Sequence, residues 1–181
     1  MRVISGKYKG KNIMGFNILG TRPTMDRVKE SIFGIIQNDI KDSVCLDLFA
    51  GSGSLGIEAL SNGAKTCYFV ENSNEIFNIL KKNLCSIDGS ILLKMDYNDA
   101  LKSFSGVKFD LIFLDPPYKL NLINGILDYI CDNNLLNNGG LIVCEFEFED
   151  VFCDKLDLVR HKKYGSKQVS IYKKKSKNLF L

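Results

Sequence analysis

Five strand-length segments, VCLDLF (44–49), TCYFVE (66–71), ILLKM (91–95), FDLIFL (109–114) and LIVCEFEF (141–148), put apolar side chains on both faces. A strand with no polar face leaves no side for water, so the sheet it joins must be covered above and below. Amphipathic stretches separate these strands: 54–62, closed by Gly63; 74–87, capped by Ser73; a short one at 98–104; and 122–136. Helical crossovers between successive strands make a sheet mostly parallel, so the expected class is α/β, doubly wound. Ahead of the series, Met25, Val28, Ile32, Ile35 and Ile36 fall at helical spacing, with Thr24 as the expected N-cap. RVISG and KGKNIMGFNI read as an N-terminal hairpin with Gly and Lys at its turn. LDLVRHKKYGSKQVSIYKK reads as two antiparallel strands around Gly165 at the sheet edge. Two regions result: a hairpin extension over residues 1–20 and a single globular unit over 21–181.

The chain is 181 residues long and 45% hydrophobic, enough for one sizeable core and not for a second. No apolar run approaches the roughly 20 residues that cross a bilayer, and the N-terminus lacks a signal-peptide pattern. The six cysteines form no C-x-x-C pair, and there is one histidine. Free buried thiols, no metal site and a cytoplasmic location are the expectations.

Net charge is +3, distributed unevenly. Residues 1–42 carry +4, residues 43–154 carry −9, and residues 155–181 carry +8. Basic ends flanking an acidic middle suit a phosphate-bearing partner held by the ends, although lysine-rich termini are also compatible with a plain solvated surface.

Between the first βα strand and its helix, Gly51, Gly53 and Gly56 satisfy G-x-G-x-x-G. The triplet is weak by itself, but here it follows a strand and opens a helix, where backbone can approach a ligand. Glu71 ends the next strand, 20 residues after Gly51, placed to accept hydrogen bonds from ribose hydroxyls. Asp47, four residues before Gly51, separates the candidate cofactors. A carboxylate there repels a pyrophosphate and suits the ammonium and sulfonium of S-adenosylmethionine.

FDLIFL runs into Asp115, Pro116, Pro117 and Tyr118. Two prolines stiffen the chain at the carboxyl edge of the sheet, where α/β proteins bind ligands. The Asp115 carboxylate and the Pro116 carbonyl offer two acceptors for one NH2 group, and Tyr118 offers a ring to stack on. That arrangement orients an exocyclic base amine toward an electrophilic methyl. A paired base must first be flipped out, and stacking offsets part of that cost. Lys7, Lys9 and Lys11 near one end, and Lys162, Lys163 and Lys167 near the other, would grip the flanking nucleic-acid backbone.

The strings MRVISGKYKGK, TRPTMDRVKESIF, DLFAGSGSLGIEALSNGA, FVE, FDLIFLDPPY and KYG together resemble the bacterial 16S ribosomal RNA (guanine-N2)-methyltransferases of the RsmD type, over nearly the whole length. The resemblance implies a class I S-adenosylmethionine-dependent methyltransferase (Rossmann-like) fold, with a seven-stranded sheet in the order 3-2-1-4-5-7-6 and the N-terminal hairpin added for RNA. It implies methylation of guanine N2 in 16S rRNA, within an assembled or assembling 30S particle; a monomer without metal is the separate expectation. It places Arg22 and Thr24 near the methionine end of the cofactor. Asp47, Leu48, Phe49, Ala50, Gly51, Ser52 and Gly53 line it, Glu71 holds the ribose with Asn72 beside it, and Asp96 lies near adenine. Asp115, Pro116, Pro117 and Tyr118 hold the base. A DNA adenine-N6 methyltransferase and a catalytically silent RNA-binding scaffold are the alternatives. A dinucleotide oxidoreductase is disfavoured by Asp47 and the D-P-P-Y string.

Overall fold

The computed structural model describes residues 1–15, 22–117, 122–147 and 150–175, with side chains of the second segment from residue 26 onward. Its elements run α1 (Arg22–Ile36), β1 (Val44–Asp47), α2 (Ser54–Ser61), β2 (Thr66–Val70), α3 (Asn74–Leu84), β3 (Ser90–Leu93), α4 (Tyr97–Ser103), β4 (Phe109–Leu114), α5 (Ile123–Asp132), β5 (Leu136–Phe146), β6 (Leu156–Tyr164) and β7 (Lys167–Lys174). They form a seven-stranded sheet in the order β3-β2-β1-β4-β5-β7-β6. The pairs within β3-β2-β1-β4-β5 are parallel, while β7 runs antiparallel to both β5 and β6.

Strand β4 shows why the sheet needs two covers. Leu111 and Phe113 pack into one core with α1, α2 and α3, represented there by Val28, Ile32, Ile57 and Leu80. Ile112 and Leu114 pack into the other with α4 and α5, represented by Leu101, Ile126 and Ile130. Successive side chains point to opposite faces, so one strand feeds both cores. Phe33 of α1 stacks on Phe113 with ring centroids 6.0 Å apart.

Three expectations about the elements change. Helix α1 opens at Arg22, two residues before Thr24, so Thr24 is not its N-cap. Pro23 fits that first turn, where its fixed φ is helical and its missing N–H would have no intrahelical partner. Helix α5 stops at Asp132 rather than running to residue 136. Asn134 adopts φ 53°, Leu135 N–H donates to the Ile130 carbonyl at 3.0 Å and Asn134 N–H to that of Cys131 at 3.2 Å, a Schellman closure. This lets β5 begin at Leu136, five residues ahead of the apolar run.

The N-terminal strands are reduced to one bridge, Arg2 with Asn12. Val3 N–H still donates to the Lys11 carbonyl at 3.0 Å and Ile13 N–H to that of Met1 at 2.9 Å, while other backbone groups of the segment go elsewhere. Ile4 N–H and Ser5 N–H donate to the Glu58 carboxylate at 2.9 Å each, Lys7 N–H donates to the Ser61 carbonyl at 2.7 Å, and Tyr8 N–H to the Ser61 hydroxyl at 2.9 Å. The hairpin therefore docks on α2 in addition to closing on itself. The boundary expected at residues 20–21 lies outside the described residues.

Glu58 is the centre of this docking. It is fully buried and also faces Lys29 of α1 at 3.1 Å, itself 4% exposed. Lys29 Nζ in turn donates to the Arg2 carbonyl at 2.7 Å and to the Ser54 hydroxyl at 3.2 Å. Burying such a pair is worthwhile only when the remaining lone pairs and protons are satisfied, and here they are. We expect Glu58→Ala to cost about 3–5 kcal/mol, because Lys29 is left buried without a counter-charge and two amides lose their acceptor. Glu58→Gln, which keeps the acceptor, should cost less. Urea unfolding of both variants checks this, and an alanine loss under about 1 kcal/mol would show that the pair does not hold the hairpin.

Candidate active site

At the carboxyl ends of β1, β2, β4 and β5 the chain leaves the dry sheet, and each exit carries an acid: Asp47, Glu71, Asp115 and Glu145. Sequence reasoning named the first three. Glu145 was missed because it lies inside an apolar run.

The glycine loop follows β1 directly. Gly53 is the N-cap of α2 with φ 83°, a conformation that L side chains rarely adopt, and a Cβ there would lie 2.7 Å from Leu80 Cδ1. Gly56 serves packing instead: its Cβ would lie 2.3 Å from Phe69 Cε1 and 2.8 Å from Cys67 Sγ. These contacts seat α2 against β2, so the loop is held from below. Ala50 N–H donates to the Val70 carbonyl at 3.0 Å and Leu48 N–H to that of Phe113 at 3.2 Å. The Leu48 side chain is buried in the α4–α5 core, which leaves its backbone as the part that faces the loop. Ser52 is buried as well, while Phe49 and Gly51 are partly exposed.

Asp47 is 2% exposed, and its carboxylate accepts from Gly56 N–H at 3.1 Å. Burial pushes it up to about 7, against the favourable Gly56 bond and with a smaller upward push from Glu71. The Glu71 carboxylate accepts from Gly51 N–H at 3.2 Å and Ser73 N–H at 2.8 Å. Each oxygen keeps a second lone pair, and the residue is half-buried. Asn72 is exposed beside it.

Asp96 caps α4, accepting from Asn98 N–H at 2.9 Å. The next residue, Tyr97, lies against Phe49 with ring centroids 5.2 Å apart. Tyr97 was not among the expected site residues, although an aromatic directly after an acid at a strand-to-helix turn is a visible signal. Asn83 of α3 was also missed. Its amide nitrogen donates to the Ser52 and Met14 carbonyls at 2.9 Å each, and its oxygen accepts from Met14 N–H at 3.0 Å. One buried side chain thus ties the glycine loop to the N-terminal hairpin.

Asp115 is half-buried, Pro116 buried and Pro117 exposed. Burial drives Asp115 well above the ordinary carboxylate range. Glu145 adds to this and Asp47 adds less, while Lys167 opposes it. Tyr118 lies outside the described residues, as do the side chains of Arg22 and Thr24.

The basic residues divide. Lys7 is exposed and ion-paired with Asp88 at 2.7 Å, Lys11 donates to the Ser86 hydroxyl, and Lys162 donates to the Ser31 hydroxyl at 3.0 Å. Lys9 lines a groove with Arg2 and Arg27, which Asp26 and Glu30 also border, and Lys163 is exposed. Lys167 is placed differently from a phosphate-gripping surface lysine. Its side chain is 16% exposed and ion-paired with Glu145, because strand alternation turns it inward. All six cysteines are free, and among the described residues no cluster has the makings of a metal site. No helix among those residues is long and apolar enough to cross a membrane.

Residues 1–173 match the family described as Conserved hypothetical protein 95. The ribosomal RNA small subunit methyltransferase D of Haemophilus influenzae is 42% identical over 152 residues, covering 81% of this chain and 79% of that one. The solved Escherichia coli protein yhhF superposes with TM-score 0.86 at 31% identity, covering 97% and 98%. An RNA methyltransferase from Salinibacter ruber, solved with S-adenosyl-L-homocysteine, superposes with TM-score 0.63 at 16% identity, covering 83% and 92%, and shows the shared fold. The architecture is that of the class I methyltransferases, with the strand order expected from the resemblance.

The Asp47 environment has a measurable consequence. Its carboxyl is protonated in the folded protein up to about pH 7 but ionises near 3.8 when unfolded. Stability is thus lost progressively as pH rises between those values, by on the order of 4 kcal/mol. Asp47→Asn should therefore gain stability relative to wild type between pH 4.5 and 8 in denaturant titrations. Parallel pH curves for the two proteins would contradict the assignment.

Proposed function

The chain is a methyltransferase of the Conserved hypothetical protein 95 family, and from that premise we propose that it transfers a methyl from S-adenosylmethionine to the exocyclic N2 of a guanine in 16S rRNA. The observation that carries the reading is the meeting of Asp115–Pro116, at the exit of β4, with the glycine loop and Asp47 at the exit of the adjacent β1.

The residues present fit the donor. Glu71 has lone pairs left for ribose hydroxyls, the Phe49–Tyr97 pair beside Asp96 offers aromatic surface for adenine, and Asp47 is a buried acid suited to a cationic tail. When bound, the cofactor supplies an electrophilic methyl on a sulfonium. The chain orients the nucleophile. Asp115 and the Pro116 carbonyl accept the two N2 hydrogens, which turns the nitrogen lone pair toward the methyl. The Asp115 anion also stabilises the positive charge that develops on nitrogen as the new bond forms. Pro116, buried between the strand end and the core, holds these acceptors in place.

The basic groups at the two ends are suited to the RNA backbone on either side of the flipped base. Lys7, Lys9, Lys162 and Lys163 are exposed, and Arg2 and Arg27 join Lys9 around its groove. The relatives' names support a small-subunit rRNA substrate, and the 30S particle is the context we infer for it.

Replacing Asp115 by Ala should reduce methyl transfer about 10²–10³-fold while leaving cofactor binding within about twofold. Asp115→Asn should retain part of the activity, since an amide oxygen still accepts a hydrogen bond. Transfer of labelled methyl to 30S particles, deproteinised rRNA and duplex DNA in parallel, with calorimetry of the cofactor, provides the readout. Normal turnover by the alanine variant would remove Asp115 from the mechanism, and label appearing only in DNA would favour the adenine-N6 alternative.

Charge reversal at Lys9 or Lys163 should weaken RNA binding and lower the slope of log K against log salt by about 1 for each phosphate no longer neutralised. A slope unchanged in both variants would return these lysines to the solvated surface.

A further inference from the structure

Resting on the role given to Asp115, we propose that Lys167 is a positioning residue for methyl transfer, whose ion pair with Glu145 shields Asp115 from that carboxylate and keeps it an anionic acceptor. The register brings the three groups together. Leu114 pairs with Cys144 across β4 and β5, so the next residues, Asp115 just past the end of β4 and Glu145 still within β5, lie side by side. Glu145 faces Val169 across β5 and β7, and Lys167 lies two residues before Val169 on the same face. Val143 and Val169 both belong to the α1–α3 core, which identifies that face. The Lys167 ammonium meets Glu145 there, with side chains 16% and 9% exposed, so solvent screens the pair weakly.

Two neighbouring carboxylates in a partly dry cleft oppose each other's ionisation. Among the described residues, the charged groups that act on Asp115 are Glu145 from β5, Asp47 from β1 and Lys167 from β7, and of these three Lys167 favours the anion. A protonated Asp115 could still accept through its carbonyl oxygen, but it would lose the charge that stabilises the positive nitrogen as the new bond forms. A purely mechanical role for the ion pair is a weak alternative, because β5 and β7 are already joined over six residue pairs.

The test is the pH dependence of kcat for the full chain, with labelled methyl transfer to 30S particles, in wild type, Lys167→Met, Glu145→Gln, the double variant and Asp115→Asn. We expect Lys167→Met to move the acidic limb up by roughly one pH unit, Glu145→Gln to move it down, and the double variant to return toward wild type. Should Lys167→Met fail to fold, the downward shift in Glu145→Gln still decides the matter. Limbs that coincide with wild type in the lysine and glutamate variants, together with a limb lost in Asp115→Asn, overturn this proposal alone. A limb that persists in Asp115→Asn overturns it together with the role given to Asp115.

Discussion

Water has almost no access to either face of the sheet at its central strand β4, and most of the architecture follows from that constraint. Every residue of β4 except Asp110 is buried, with Leu111 and Phe113 on one side and Ile112 and Leu114 on the other. Such a strand needs a helix layer above and below, and connecting parallel neighbours through those layers sends each strand in the same direction. All carboxyl ends then lie along one edge. Polar chemistry is tolerated where the chain leaves the dry region, which is why Asp47, Glu71, Asp115 and Glu145 gather there. The strong upward pull on Asp47 and Asp115 is the electrostatic side of the same fact: these acids stand at the boundary, only partly solvated.

Buried polar groups integrate the N-terminal hairpin with this scaffold. Glu58 collects hydrogen bonds from Ile4 and Ser5 while pairing with Lys29, and Asn83 joins Met14 to the carbonyl of Ser52 in the glycine loop. The segment suited to RNA and the loop suited to the cofactor are therefore supported by the same pair of helices, α2 and α3. A displacement of one is felt by the other through hydrogen bonds that have no water to replace them.

Elements with strong periodicity or turn chemistry were legible from residues alone: the five βα strands, Ser73 as the cap of α3, and the Gly165 turn between β6 and β7. The glycine loop and the D-P-P-Y edge were legible because spacing fixes their place relative to a strand end. Reading failed where backbone partners lay far along the chain. Residues 2–12 alternate like a hairpin and close as one between Val3 and Lys11, but the amides of Ile4, Ser5, Lys7 and Tyr8 are taken by Glu58 and Ser61, more than 50 positions away. The onset of β5 was hidden behind DNNLLNNGG, a polar stretch whose Asn134 closes the preceding helix.

Lys167 marks the division most clearly. In the chain it is one more lysine of a basic tail, indistinguishable by composition from Lys162 and Lys163. Hydrophobic pattern and motif spacing are local or periodic properties, so they were sufficient to specify the class of fold, the strand edge and the acids that begin the site. Which charges meet there depends on the register of strands joined over long separations. An electrostatic pair such as Glu145–Lys167 exists only after folding has removed the intervening water and turned both side chains to one face.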